Sequence, residues 1–226
     1  MWTAPLLFSS LQRSYRDNGL RGVALQIAKK LLRPALQFGK LVFFECNLGH
    51  PLPEPCPVPG ILCREAFRHD IDLFGPAGAG KRQSAVERFD RDERCFVGID
   101  TANGAMANYR WITSGSAYLP EIECYITIEP GELYVYDLVT LPSYRRKGID
   151  TYVRTCAYRY LQSLGYTRIL AYVRADNRSS LGAAQKLLQQ CGSIHYLHCR
   201  GQKPILIGTD SFCRDRLRQS VSRGSL

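Results

Sequence analysis

The sequence predicts an α+β fold in which a mixed, mostly antiparallel central sheet is flanked by helices and preceded by an N-terminal extension. Three observations predict it. A hairpin pattern lies within residues 95–113, a strand, a basic turn and a helix follow over residues 132–164, and a second strand and helix follow over residues 167–192. Strands that come first in hairpins and then in strand–helix units are typical of α+β domains.

Residues 1–60 are expected to form an extension rather than part of the sheet. Within residues 20–44, apolar residues recur at helical spacing among Lys and Arg, and Pro34 breaks or kinks the pattern. A basic amphipathic helix of this kind either docks on the domain core or makes peripheral contact with an anionic membrane surface. The alternating prolines of residues 51–59 then predict an extended strap.

The glycine-rich stretch of residues 75–81 fits the spacing Gly-x4-Gly-Lys of a phosphate-binding loop. The next residue is Arg82, so the hydroxyl that would ligate Mg²⁺ is missing, and the preceding residues 68–74 make a poor buried strand. We therefore interpret this stretch as a flexible loop.

The strands of the domain, residues 61–212, are predicted from alternation and turn signals. Asn103-Gly104 predicts a hairpin between two of them, because this dipeptide is the strongest short hairpin signal. The predicted strands span residues 95–99, 105–113, 122–128, 132–140, 167–173, 194–199 and 204–207. Residues 213–226 carry several arginines and are expected to be a frayed basic tail.

The turn after the strand of residues 132–140 carries most of the chemistry. Arg145, Arg146 and Lys147 are adjacent cations, and Gly148 allows close approach to the backbone. The helix that follows has free N–H groups at its start, and with the cations these would bind a phosphorylated ligand such as a pyrophosphate. The alternative from the residues alone is a basic surface turn that faces solvent.

A second unit follows, in which Asn177 begins a helix after the strand of residues 167–173. The apolar stripe of that helix is expected to run to Cys191, and Gly192 is expected to end it.

These two units resemble consecutive motifs of the GNAT superfamily, the acyl-CoA-dependent N-acyltransferases. The first motif is Arg/Gln-x-x-Gly-x-Gly/Ala after a strand; Arg145 and Gly148 match it, whereas Asp150 stands where the family usually has Gly or Ala. Asn177 and Ser180 match the next motif, which opens the helix beside the pantetheine arm. The resemblance implies a GNAT fold and direct transfer of an acetyl or other acyl group from acyl-CoA to an amine.

The resemblance also implies which residues bind the cofactor. Acetyl-CoA or another acyl-CoA is the expected co-substrate, and no metal site is expected. A backbone N–H near the end of the fourth strand would polarise the thioester carbonyl. The residues expected to contact the cofactor are Leu138, Val139, Thr140, Arg145, Arg146, Lys147, Gly148, Ile149, Asp150, Thr151, Asn177 and Ser180.

The first candidate for the base that deprotonates the amine is Asp137. It lies among apolar neighbours, where a desolvated carboxylate would have a raised pKa, although alternation also allows an outward-facing side chain. Glu121, Glu123 and Glu132 are the alternatives.

The acid that protonates the departing thiolate is harder to assign. The family commonly has a Tyr seven residues after the Asn of the second motif, and Ala184 replaces it here. Tyr196 is our candidate, Tyr172 is the alternative on a nearby strand, and water could also serve.

Composition limits the remaining possibilities. The net charge of +10 favours anionic partners, CoA among them, but we find no basic helix or aromatic platform of the nucleic-acid-binding kind. The nine cysteines include no close metal-binding pair and indicate a reducing cytoplasm. If residues 20–44 bind a membrane, the peripheral contact is expected at its inner face.

The expected acceptor is an amine of a small molecule or a protein. The alternatives are a degenerate GNAT module that binds acyl-CoA or a partner without catalysis, and a basic membrane-surface protein.

Overall fold

The computed structural model describes residues 36–75, 79–199 and 202–219. Within them, eleven strands alternate with helices. The strands are β1 (Leu36–Asn47), β2 (Ile61–Ala66), β3 (Arg94–Asp100), β4 (Met106–Thr113), β5 (Ala117–Leu119), β6 (Cys124–Ile126), β7 (Glu132–Thr140), β8 (Arg168–Arg174), β9 (Gln189–Cys199), β10 (Ile205–Ile207) and β11 (Leu217–Gln219). The α-helices are α1 (Ala79–Phe89), α2 (Ile149–Ser163), α3 (Arg178–Ala184) and α4 (Ser211–Arg216), and short 3₁₀ helices span Arg68–Phe74 and Pro142–Tyr144.

Eight strands form the central sheet, in the order β10-β9-β1-β8-β7-β4-β3-β2. All neighbours in it pair antiparallel except β7 and β8, which are parallel. Helix α2 connects β7 to β8 and so makes the crossover that a parallel pair requires. A second, three-stranded sheet has the order β11-β6-β5. The predicted α+β class with a mixed, mostly antiparallel sheet is therefore confirmed.

Helices cover one face of the central sheet, and the small sheet and α1 cover the other. On the first face, Val153 of α2 packs in a cluster with Phe96, and Ala184 of α3 packs with Phe44. On the second face, Leu119 of the small sheet packs in a cluster with Phe43. No helix in the described part of the chain is long and apolar enough to cross a bilayer.

Strand β1 lies in the interior of the sheet, between β8 and β9. The prediction that residues 20–44 form a helix is therefore wrong for residues 36–44, and residues 20–35 lie outside the described residues. The central sheet also uses residues upstream of the predicted domain boundary at residue 61.

The reason for this error is the burial of β1 on both faces. Leu41 and Phe43 lie in the core on one face, and Val42 and Phe44 lie in it on the other. A strand buried on both faces is a continuous apolar run, which periodicity cannot distinguish from a buried helix. Because these four side chains are buried, they are not available to a membrane surface.

The predicted hairpin is confirmed as β3 and β4, and the strand of residues 132–140 is confirmed as β7. The strand expected at residues 122–128 is shorter and belongs to the small sheet as β6. Strand β2 takes the outer place in the central sheet, and it was not predicted. The stretch of residues 75–81 is also partly helical, because α1 begins at Ala79.

Helix α3 is shorter than predicted and ends at Ala184, so Gly192 does not end it. Gly192 lies in β9 and pairs with Phe43 of β1. A Cβ at this position would lie 2.9 Å from the Phe212 ring and 3.0 Å from the Asp210 carboxylate. Close packing against the following helix therefore requires glycine here, and strand pairing replaces the end of the predicted helical stripe.

Residues 213–219 form the end of α4 and the strand β11, so the expectation of a frayed tail is wrong for these residues. Cys213 and Arg216 of α4 are buried, and β11 pairs with β6. Arg216 forms an ion pair with the buried Glu132, with a distance of 3.0 Å from Nη2 to Oε1. This buried ion pair fixes the segment to the start of β7. Residues 220–226 lie outside the described residues.

Candidate active site

Strands β7 and β8 pair only at their first residues. Their ladder ends at the pair Tyr134–Leu170, although β7 continues to Thr140 and β8 continues to Arg174. Beyond that pair the two strands form the walls of an open wedge. Helices α2 and α3 begin just after these strand ends, and ligands of sheets with parallel strands bind where neighbouring strands separate at their carboxyl ends.

A β-bulge lies on the β7 wall of this wedge. Asp137 and Leu138 together lie opposite Arg110 of β4, and Asp137 has a φ of 42°. A non-glycine residue with positive φ is strained, and such strain clusters at functional sites. Leu138 is 44% exposed. Beyond the last pair with β8, this edge of β7 has no neighbouring strand among the described residues, which leaves backbone N–H groups of the bulge region available to a ligand.

Asp137 lies on the rim of the wedge with a cationic partner. Its carboxylate accepts a hydrogen bond from Arg88 of α1 at 2.5 Å and another from the Tyr109 hydroxyl at 3.3 Å. The Arg88 guanidinium also stacks over the rings of Trp111 and Tyr136. The desolvated, unpaired carboxylate expected from the sequence is therefore replaced by an ion-paired one.

Tyr172 lies on the β8 wall, at the level of Tyr136 on the β7 wall, since each is two residues beyond the last pair of the ladder. Its hydroxyl donates a hydrogen bond to Glu121 at 2.8 Å. Burial, and then the Glu121 charge, raises the pKa of Tyr172. Among the described residues, Glu121 has a hydrogen bond to this hydroxyl and no ion pair.

Tyr196, the candidate acid, lies farther from the wedge. It belongs to β9, which β1 separates from β8. Two strand spacings of about 4.8 Å put its backbone about 10 Å from β8. Its side chain is 3% exposed, and burial raises its pKa.

The basic turn lies at the mouth of the wedge, where α2 begins. Arg145, Arg146 and Lys147 are exposed, and the backbone is left-handed at Arg146 and at Gly148, with φ of 65° and 77°. Gly148 is the N-cap of α2, and the nearest atom to a Cβ built there is 4.0 Å away, on Val58. The first N–H groups of a helix have no intrahelical acceptor, so this turn presents donors and positive charge to an anion.

Asp150 points into the protein, away from that anion site. Arg110, which is 1% exposed, donates to the Asp150 carboxylate at 2.8 Å and to its backbone carbonyl at 2.9 Å. The side chain that departs from the family motif is thus neutralised by a buried guanidinium. It does not present an uncompensated charge to the turn.

On the other side of the mouth, Asn177 caps α3. Its Oδ1 accepts a hydrogen bond from the Ser180 N–H at 3.2 Å, as predicted for a helix start. Ala184 at the end of α3 is buried against Val42 and Phe44.

Three arginines that contact residues of β7, α2 or α3 were missed from the sequence: Arg88, Arg110 and Arg154. A charged residue within an apolar strand, such as Arg110 between Tyr109 and Trp111, is the signal that could have found one of them, because such residues are seldom buried without a partner. Arg88 and Arg154 lie on helices, where arginine is ordinary on a solvated face, and nothing in the local sequence distinguishes them.

Comparisons with known proteins identify the family of the chain. The family model described as "Acetyltransferase (GNAT) family" matches residues 71–189, more than half of the chain. Among solved structures, a GCN5-related N-acetyltransferase from Sphaerobacter thermophilus is similar, with a TM-score of 0.51 and 15% identity over 82% of this chain and 58% of that one. A tandem GNAT protein from the clavulanic acid biosynthesis pathway has a TM-score of 0.53 and 13% identity over 79% of this chain and 59% of that one. No curated protein sequence matches the chain.

The fold is thus that of the structures in these comparisons. The chain belongs to the acetyltransferase (GNAT) family, as the sequence motifs indicated. It spans less than two thirds of the length of each of these two structures. Within the described residues, no group of three or more His, Cys, Asp or Glu side chains could hold a metal ion.

Proposed function

We propose that the protein transfers an acyl group, in the first instance acetyl, from acyl-CoA to an amine by direct attack of the amine on the thioester. One observation carries this proposal: the wedge between β7 and β8 has a bulge on one wall and a basic turn at its mouth. An extended ligand with a pyrophosphate at one end and a thioester at the other fits such a site. The turn binds the charged end, and the wedge holds the reactive end.

The pyrophosphate binds the turn and the start of α2. The exposed cations Arg145, Arg146 and Lys147 compensate its charge, and the N–H groups from Gly148 onward donate to its oxygens. The pantetheine arm then enters the wedge between the bulge and the Asn177 cap of α3.

The thioester carbonyl binds beside the bulge. A backbone N–H of Leu138 or Val139, on the edge of β7 that β8 leaves unpaired, donates to the carbonyl oxygen and stabilises the charge that develops there. Fixed backbone donors suit this role because they need no reorganisation during the reaction.

Two carboxylates are candidates for the base, and the contacts favour Glu121 over Asp137. Asp137 has an ion pair with Arg88 that would have to break or weaken before the carboxylate could take a proton. Glu121 has no ion pair in the described part of the chain, and it accepts a hydrogen bond from Tyr172, which lies on the β8 wall of the wedge. An ammonium group of the acceptor would supply the missing cation, and its proton would pass to Glu121.

Tyr172 is a better candidate for a proton donor than Tyr196. Its hydroxyl is on the strand that borders the wedge, and its raised pKa keeps it protonated at neutral pH. Tyr196 is separated from the wedge by β1, and its side chain packs in the hydrophobic core.

The acceptor is an amine of a small molecule or of a protein, in the cytoplasm. An acceptor that is cationic before transfer is favoured because the Glu121 carboxylate, which is hydrogen-bonded to Tyr172, has no cationic partner within the described residues.

Titration calorimetry with acetyl-CoA and with CoA tests the cofactor site. The wild type should bind acetyl-CoA with micromolar affinity. Gly148→Glu places a side chain and a negative charge at the turn, and this variant should not bind. Gly165→Glu is the matched control, because Gly165 also has a positive φ and open surroundings but lies just after the other end of α2. Absence of binding by the wild type, or equal loss in both variants, would contradict the proposal.

A screen of primary amines then tests the base, with CoA release as the readout. Glu121→Gln should lower kcat by about 10²-fold or more, the usual contribution of a general base, with acetyl-CoA affinity unchanged. Asp137→Asn should have a smaller effect; the reverse order would make Asp137 the base. Acetyl-CoA binding without transfer to any amine would instead favour a binding module.

A further inference from the structure

Arg154 is a buried cation, and some of its hydrogen-bond donors have no acceptor among the described residues. It lies on α2, one turn after Asp150, and is 4% exposed. Its Nη1 donates to the backbone carbonyl of Ala183 at 2.6 Å. Its Nη2 is 3.7 Å from Asp150 Oδ2, too far for a hydrogen bond, and in the described part of the chain neither Nη2 nor Nε has an acceptor. Buried donors without acceptors are rare and require an explanation.

The charges around Arg154 do not balance. Arg110 is equally buried and uses the same carboxylate, so two guanidinium groups share Asp150. The other titratable groups that act on Arg154 are neutral at physiological pH: burial raises the pKa of Cys46 on β1 to about 11 and that of Tyr158 on α2 to about 12. The cluster therefore has an excess of one positive charge, which an anion would compensate.

The position of Arg154 indicates which anion this is. Its side chain reaches from α2 to α3, the two helices that begin at the mouth of the wedge. The carbonyl it contacts is that of Ala183, next to Ala184. Ala184 replaces the Tyr that the family commonly uses to protonate the departing thiolate, so the guanidinium is hydrogen-bonded to the residue next to the position of that Tyr.

We propose that Arg154 donates its free N–H groups to the sulfur of the bound acyl-CoA and stabilises the thiolate that leaves. The inference rests on the proposed function. The amine nitrogen attacks the thioester carbonyl carbon, the C–N bond forms, and the C–S bond breaks with its electron pair on sulfur. The acceptor ammonium first gives one proton to the base, which frees the lone pair that attacks. The nitrogen gives up a second proton as the amide forms, and the CoA thiolate held by Arg154 takes up that proton, directly or through water or Tyr172. A guanidinium cannot donate its proton at neutral pH, so its part is electrostatic.

Free CoA provides a test that needs no acceptor. A cation beside the sulfur lowers the pKa of the bound thiol, so the affinity for CoA should rise with pH as the thiolate forms. Desulfo-CoA has the same phosphates but no thiol, so the ratio of the two dissociation constants isolates the sulfur. For each pH unit by which binding lowers the pKa of the thiol, the dissociation constant of desulfo-CoA divided by that of CoA rises by at most about tenfold at high pH. Between pH 7 and pH 9, Tyr158 and Cys46 remain neutral because burial raises the pKa of each, so they do not contribute.

The variants are Arg154→Met, which keeps the length of the side chain, and Arg154→Lys, which keeps its charge. For the wild type we expect the preference for CoA over desulfo-CoA to grow about tenfold from pH 7 to pH 9. The lysine variant should retain this growth in part, and the methionine variant should lose it while still binding desulfo-CoA, which shows that its site is folded. If desulfo-CoA does not bind the methionine variant, the test rests on the lysine variant. A ratio of the two dissociation constants that does not change with pH in the lysine variant then overturns the inference.

The two hypotheses fail in different ways. If the wild type binds both ligands with a ratio that does not change with pH, or if Arg154→Met keeps the wild-type pH dependence, Arg154 does not contact the sulfur and only the inference is overturned. If the wild type binds neither ligand, the proposed function fails and the inference fails with it.

Discussion

Replacement of Asp150 by Asn should destabilise the fold strongly, although a residue with no charge is ordinary at this position of the motif. Asp150→Asn keeps the size of the side chain and removes the one carboxylate that, within the described residues, forms ion pairs with Arg110 and Arg154, which are 1% and 4% exposed. Removing one partner of a buried ion pair costs about 3–5 kcal/mol. Because the Asp150 side chain is 25% exposed and water screens part of the interaction, we expect the lower end, about 3 kcal/mol.

Urea unfolding of the two proteins measures this cost as a difference in midpoint at constant m-value. In a thermal scan, about 3 kcal/mol corresponds to a fall of roughly 6–12 °C for a domain of this size. Asp72→Asn is the control, because the Asp72 ion pair with Arg82 is exposed, with side chains 81% and 48% accessible, and such pairs contribute about 0–1 kcal/mol. A change for Asp150→Asn no larger than that of the control would refute the view that Asp150 neutralises a buried cationic cluster.

Two further substitutions test the packing and the electrostatics of the fold. Gly192→Ala should lower the free energy of unfolding by about 1–3 kcal/mol, because the new Cβ would lie 2.9 Å from Phe212. Gly182→Ala is the control, because a Cβ there has nothing within 4 Å, and it should be neutral or stabilising in thermal melts. Equal melting temperatures for the two variants would contradict the close packing at Gly192. The Arg64 guanidinium holds the pKa of Asp70 at about 2 instead of 3.8. The folded-state pKa is lowered, so this stabilisation is present above about pH 4 and lost as the pH falls towards 2. Asp70→Asn should therefore flatten the loss of stability between those pH values, and an unchanged acid-unfolding profile would count against the pair.

The parts of the fold that the sequence predicts are those with local signals. An Asn-Gly turn marks the β3–β4 hairpin, and a strand, a basic glycine turn and a helical stripe mark β7 and α2. The residues that determine each of these features are adjacent or one helical turn apart. Local pattern was therefore sufficient to identify the wedge mouth and the family.

The parts that were not predicted depend on partners far away in the chain. Strand β1 became a strand because β8 and β9 lie on either side of it, and its apolar run alone is compatible with a helix. The environment of Asp137 depends on Arg88, which is 49 residues away, and that of Asp150 depends on Arg110, which is 40 residues away. The sequence alone shows that these side chains are carboxylates, but it does not show which arginine forms an ion pair with each of them.

Hydrogen–deuterium exchange with and without acetyl-CoA tests most directly the claim that the wedge and the turn form one cofactor site. Binding should slow exchange of the amides at residues 138–140, on the free edge of β7, and at residues 146–151, in the turn and the start of α2. Amides of the small sheet, in β5 and β6, should not change. Protection confined to other regions, or spread evenly over the chain, would contradict the account, because the ligand would then bind elsewhere or only stabilise the fold globally.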